Sequence, residues 1–184
     1  MRKLLVLSIL LVGCSRQVHY TDPRDIHGID PAFTAIVAEF ESYLGRSIGD
    51  IPIGFGPGGG DVVGRCSVWN SEWREIKIDP EYWNYMGQWG HIPDEDARTA
   101  LLFHELGHCV LNRGHLNTMW NNNGWSVYTS FMNFAVFFSS QYSAFESKAY
   151  YVNELFHPAP GAPMMSDSAS EEDDDFVHIN TGNI

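Results

Sequence analysis

His104-Glu105-Leu106-Gly107-His108 is an HExxH sequence near the middle of the 184-residue chain. On a helix, two histidines at i and i+4 project from one face one turn apart, where both can bind a single metal ion. Glu105 sits about 100° round the helix, placed to take a proton from a metal-bound water instead of ligating the metal. The 8 His of the composition give roughly 0.02 chance matches to such a pattern. Its neighbours Leu106, Gly107, Cys109 and Val110 are uncharged. Burying two imidazoles and a carboxylate among such residues is costly unless they have partners or a task.

The wider stretch, HELGHCVLNRGH followed by Met in SVYTSFMNF, resembles the zincin metallopeptidases and their metzincin branch. That family pattern is HExxHxxGxxH with a methionine-containing turn beneath the metal. The resemblance covers about residues 75–135 and is strongest over 103–115. It implies one Zn2+ per chain, His104, His108 and His115 as ligands, Glu105 as general base and Met132 as the Met-turn residue. It also implies hydrolysis of peptide bonds in a protein or peptide substrate. The sequence departs from the pattern in one respect: His115 lies seven residues after His108, where the family has six. The helix-ending glycine of the family would fall at Leu111, which does not readily take positive φ. Asn112 tolerates that conformation best after glycine, so Asn112-Arg113-Gly114-His115 is expected to make the exit one residue later. Glu146, Glu154 and His157 stay open as other third ligands. Tyr128, Tyr142, Tyr150 and Tyr151 are candidates to stabilise an oxyanion, and no spacing selects among them.

Around this centre the pattern predicts an α+β domain over residues 28–157, zincin-like, with a small mixed sheet packed on a central active-site helix. Residues 31–44 carry Phe33, Ile36, Val37, Phe40, Tyr43 and Leu44 at helical spacing, with Asp30 as N-cap, Pro31 in the first turn and Gly45 as the stop. Ile51–Phe55, Val62–Trp69 and Arg74–Asp79 read as strands, the first an edge strand because Pro52 lacks an N–H. The intervening GPGGGD lacks the Lys-Ser/Thr of a phosphate loop and reads as a turn. Residues 94–112 form the metal helix, apolar on most sides and therefore central. Residues 116–127 read as an Asn-rich loop. A last helix is expected over 143–156, with Phe145, Ala149, Val152 and Phe156 on one face. From Pro158 to residue 184 the chain is Pro/Ala/Ser-rich, then acidic, and reads as a disordered tail. Cys66 and Cys109 either pair or remain thiols; Cys109 is turned about 100° from the metal face, which argues against ligation.

The N-terminus carries an address. Arg2 and Lys3 precede the apolar run 4–12, too short to span a bilayer as a mature helix, so residues 1–13 read as a signal peptide. Leu11-Val12-Gly13-Cys14 resembles the lipobox of bacterial lipoproteins, which implies lipidation at Cys14. Residues 14–27 are then a tether and the lipid is the membrane partner, in the cell envelope. Ser15 favours the outer over the inner membrane. Export would place Cys66 and Cys109 in an oxidising compartment. The formal net charge of −12 disfavours nucleic acid, which needs a basic face. A non-catalytic lipoprotein holding zinc for structure alone is the rival expectation; Glu105 speaks against it, because structural zinc needs no base.

Overall fold

The computed structural model describes residues 26–57, 62–69, 73–84, 95–122, 125–134, 147–165 and 176–178. The signal peptide, Cys14, most of the tether, the glycine run 58–60, Tyr142, Phe145, Glu146 and the acidic run 171–175 lie outside them. Helices and a small mixed sheet together give an α+β arrangement. Strands β1 (Ile53–Phe55), β2 (Val62–Trp69), β3 (Trp73–Ile78) and β6 (Phe176–His178) form one sheet in the order β1-β3-β2-β6. β1 runs parallel to β3, and β2 antiparallel to both β3 and β6.

Helix α1 (Thr34–Leu44) starts later than its capping residues suggest. Asp30 accepts from the Ala32 N–H at 2.9 Å, which makes residues 31–33 a turn ahead of the helix. Gly45 ends it at φ 73°, a left-handed position that glycine takes without steric cost. Two elements within residues 28–157 were not expected. Pro80–Asn84 forms a short helix α2, with Asp79 accepting from the Glu81 and Tyr82 N–H groups. The Asn-rich stretch forms a hairpin, β4 (Met119–Asn122) against β5 (Trp125–Tyr128). Asn is a poor strand former, but cross-strand pairing and turn chemistry outweigh that weak preference.

Helix α3 (Glu95–Leu111) lies at the centre, with every residue from Thr99 to Cys109 buried. It packs on one face of β2 and β3. Cys66 stands opposite Ile76 on that face, and a Cys66–Cys109 disulfide joins β2 to the helix. Arg74 on the same face donates to the Cys109 carbonyl. On another side of α3, α1 packs through Phe40 against Phe103, with ring centroids 5.2 Å apart. The last helix, α4 (Lys148–Phe156), buries Tyr151, Val152 and Leu155. The expected face was wrong at Ala149, which is exposed. A small side chain gains little from burial, so the large Tyr151 and Leu155 set the rotation of the helix.

The expectation of a disordered tail from Pro158 is corrected for two segments. Residues 163–165 run beside the exit of α3: Gly114 donates to the Pro163 carbonyl at 2.9 Å and Met165 to the Asn112 carbonyl at 3.0 Å. Phe176–His178 pair with β2. Low hydrophobicity limits what side chains can bury, but ladder bonds are made by backbone groups that every non-proline residue carries. Composition is blind to a partner edge elsewhere in the chain.

The disulfide closes a loop of 43 residues, and the chain-entropy relation gives a cross-link of that span about 4 kcal/mol. Replacing both Cys66 and Cys109 with Ala should therefore lower the unfolding free energy in urea by a few kcal/mol. A midpoint unchanged from the oxidised parent would show that the bridge contributes nothing to the fold.

Candidate metal centre

His104 and His108 lie on one face of α3, and the exit of that helix brings back His115. Asn112 takes φ 55°, the one positive φ among the described non-glycine residues. Its N–H bonds the His108 carbonyl at 3.2 Å and the next N–H, of Arg113, bonds the Gly107 carbonyl at 3.0 Å. These bonds satisfy carbonyls at the helix end and fold the chain back along its last turn. Gly114 then passes so close to the 163–164 backbone that a Cβ would lie 3.0 Å from the Met164 carbonyl oxygen. The left-handed residue is Asn112, as its side-chain chemistry suggests, and the turn returns His115 to the two helical histidines.

The imidazoles are oriented by backbone acceptors. His104 Nδ1 lies 2.6 Å from the Phe131 carbonyl oxygen and His108 Nδ1 lies 2.6 Å from that of Arg113. A carbonyl only accepts, so each Nδ1 carries the proton and each Nε2 keeps its lone pair. The two Nε2 atoms are 2.8 Å apart, and His115 Nε2 is 3.3 Å from that of His104. His104 and His108 are buried and His115 is half-buried. Lone pairs brought this close repel unless a cation stands among them. A proton is a poor candidate. Burial, reinforced by the neighbouring His115, lowers the His108 pKa to about 3. Burial and the two other imidazoles also hold His104 well below its ordinary value. The three side chains therefore lie close enough to bind a metal ion, and their donor set suits one.

A buried scaffold holds this geometry from below. Arg113, 1% exposed, donates to the carbonyls of Glu154 (3.1 Å) and Leu155 (2.6 Å) and pairs with the Glu154 carboxylate at 2.7 Å. The other oxygen of that carboxylate accepts from Ser130 Oγ at 2.5 Å, and Ser130 Oγ accepts from the Met132 N–H at 3.0 Å. One chain of bonds thus links the residue whose carbonyl orients His108 to the turn whose Phe131 carbonyl orients His104. Met132 is fully buried under the helix: a Cβ on Gly107 would stand 2.5 Å from its Sδ. Any side chain at 107 would force Met132 to shift from this position.

Glu105 is fully buried on the α3 surface between the histidine face and the sheet. A Cβ on Gly64 of β2 would overlap its Oε1, so the strand approaches the carboxylate as closely as a backbone can. Of the other candidate ligands, Glu154 is engaged by Arg113 and Ser130, His157 is exposed beyond α4, and Glu146 is outside the described residues. Of the tyrosines, Tyr151 donates to the Tyr128 carbonyl at 2.8 Å inside the core, which accounts for its hydroxyl. Sequence reasoning missed the roles of Arg113, Ser130 and Gly64. A buried arginine leaves no local pattern, because its acceptors lie 41 and 42 residues away.

The lowered His108 pKa has a thermodynamic consequence. Between its ordinary value near 6.5 and about 3, the unfolded chain binds a proton that the folded chain refuses. The stabilisation is fully present above pH 6.5 and is lost progressively as pH falls toward 3. The metal-free protein should melt several degrees lower at pH 5 than at pH 7.5, and a metal-loaded sample should release its ion over the same interval. A melting temperature that rises on acidification would contradict the buried neutral imidazole.

Comparison with known proteins found no matching family model, no matching curated protein and no matching solved structure.

Proposed function

We propose that this protein is a zinc-dependent metallopeptidase that hydrolyses peptide bonds outside the cytoplasm, held at the membrane by a lipid on Cys14. The single observation that carries the catalytic reading is the convergence of His104, His108 and His115 beside a buried Glu105. The Nε2 separations of 2.8 and 3.3 Å are near the roughly 3.3 Å edge expected for tetrahedral zinc with Zn–N bonds of about 2.0–2.1 Å. Imidazole donors suit zinc among the divalent ions, and three protein ligands are the usual number for a catalytic site. The buried Met132 beneath Gly107 and the left-handed exit at Asn112 support the zincin-like reading of the domain.

In this reading His104, His108 and His115 hold the ion. Bound zinc supplies Lewis acidity, which polarises a carbonyl and acidifies water. Glu105 does the proton work: its carboxylate takes a proton from the attacking water as the new C–O bond forms, then delivers it to the amine nitrogen as the C–N bond breaks. Burial against Gly64 keeps that carboxylate in one place. A purely structural zinc site, the rival reading, calls for a closed set of four ligands; the cluster found among the described residues has three.

Glu105→Gln should retain one zinc per chain and lose on the order of 10² to 10⁴ in turnover of a general peptide substrate. His115→Ala should lose zinc at concentrations that saturate the parent, measured by metal analysis after dialysis. Turnover unchanged in Glu105→Gln would reject the general-base assignment. Anchoring is tested separately: Cys14→Ser should leave the protein unlipidated and out of the membrane fraction. Normal processing and membrane partition of that variant would reject the lipoprotein reading.

A further inference from the structure

His115 is the one member of the histidine cluster that does not stand on α3. His104 and His108 are carried by the helix, and each has a carbonyl on its Nδ1. His115 lies beyond the left-handed turn at Asn112 and is half-buried. Its place therefore depends on the backbone to either side of it. On the far side the Leu116 N–H donates to the Met132 carbonyl at 2.7 Å, which ties the chain to the turn beneath the helix. On the near side the Gly114 N–H donates to the Pro163 carbonyl at 2.9 Å, and the Met165 N–H donates back to the Asn112 carbonyl at 3.0 Å. These two bonds flank an antiparallel bridge between Arg113 and Met164. The segment 163–165 is thus a strap laid across the residues that lead into His115. It arrives from α4 through the mostly exposed loop 157–162, and the Met164 side chain is itself 55% exposed. Backbone pairing, more than apolar burial, holds the strap in place.

We propose that the strap 163–165 is a positioning segment for the metal centre: it raises zinc affinity by holding His115 in place, and the bound metal in turn holds the strap. The inference rests on the zinc reading above and does not need the peptidase activity. Groups that orient a metal ligand from behind are worth about 10- to 100-fold in affinity. For His104 and His108 those groups are the two carbonyls; for His115 the strap and the Met132 carbonyl fix the main chain instead. Coupling between two binding events is reciprocal, so the factor by which the strap strengthens zinc binding is the factor by which zinc strengthens strap docking. The structure supplies a reason for the second half. Without a cation the crowded Nε2 lone pairs repel, and His115, off the helix, is the ring best able to yield. Its retreat pulls on Gly114, whose fit to the strap is close enough that a Cβ there would lie 3.0 Å from the Met164 carbonyl oxygen. Docking of the tail then reports whether the centre is filled.

The test uses the full mature chain and Met165→Pro within it, which removes the N–H that donates to the Asn112 carbonyl. Zinc affinity is measured by chelator competition, alone and in a His115→Ala background, which completes a double-mutant cycle. Met165→Pro should weaken zinc binding on the order of ten-fold where His115 is present. In the His115→Ala background the same change should weaken it no further, because the strap acts through that ring. A second measurement needs no variant: amide exchange at Gly114 and Met165 of the full chain should slow on the order of ten-fold when zinc saturates it. It decides the matter if Met165→Pro does not fold. Zinc affinity in Met165→Pro equal to the parent's overturns the inference. So does an equal loss in both backgrounds, which would make the strap merely structural, and so does exchange at both amides that zinc leaves unchanged. If the full chain binds no zinc, the zinc reading falls and this inference with it. If it binds zinc and hydrolyses no peptide, only the peptidase reading fails.

Discussion

Three imidazoles whose Nε2 atoms are crowded within a few ångströms impose the main constraint on this fold. Lone pairs turned inward repel, and burial denies His104 and His108 the protons that would relieve the repulsion. The arrangement survives because each of the two helical rings is fixed from outside by a carbonyl acceptor on Nδ1. Those carbonyls belong to Phe131 and Arg113, on chain segments that approach α3 from different directions. Much of the lower half of the domain can be understood as the means of placing these two oxygens.

Arg113 is the clearest instance. Its side chain is buried and charged, a costly combination unless the charge is paired and the N–H groups are bonded. Two carbonyls at the end of α4 and the Glu154 carboxylate meet that need. Ser130 carries the link on to the Met132 backbone. The carboxylate that sequence reasoning kept open as a metal ligand acts instead on the scaffold, one step behind the imidazoles. An arginine next to the helix exit engages it there, and the cluster close enough to bind a metal ion consists of histidines.

The upper half answers a different requirement, a rigid surface against which Glu105 can be held. The disulfide and the Arg74 bond tie β2 and β3 to the turn of α3 that follows His108. Glycine at 64 and at 107 lets two close approaches happen on opposite sides of the same helix, the sheet on one and Met132 on the other. A methyl group at position 64 would force the Glu105 carboxylate to shift, and one at 107 would force Met132 to shift.

Much of the site was legible in the chain itself, and the reasons are local. HExxH spacing depends only on helix geometry, and the left-handed turn at Asn112 depends only on side-chain chemistry, so a short window of sequence contains both. The strand boundaries at Val62–Trp69 and the stop at Gly45 are local in the same sense. What the tertiary structure alone decided involves partners far apart in the chain. Glu154 stays out of the histidine cluster because Arg113 claims its carboxylate from 41 residues away. The pairing of Cys66 with Cys109 required the α3–sheet contact, and the hairpin in the Asn-rich stretch required its cross-strand partner. The ordered segments after Pro158 gained their structure from backbone edges at 112–114 and in β2. Local spacing fixes which side chains can act together; long-range pairing, whose entropy of closure no window of sequence records, fixes which of them do.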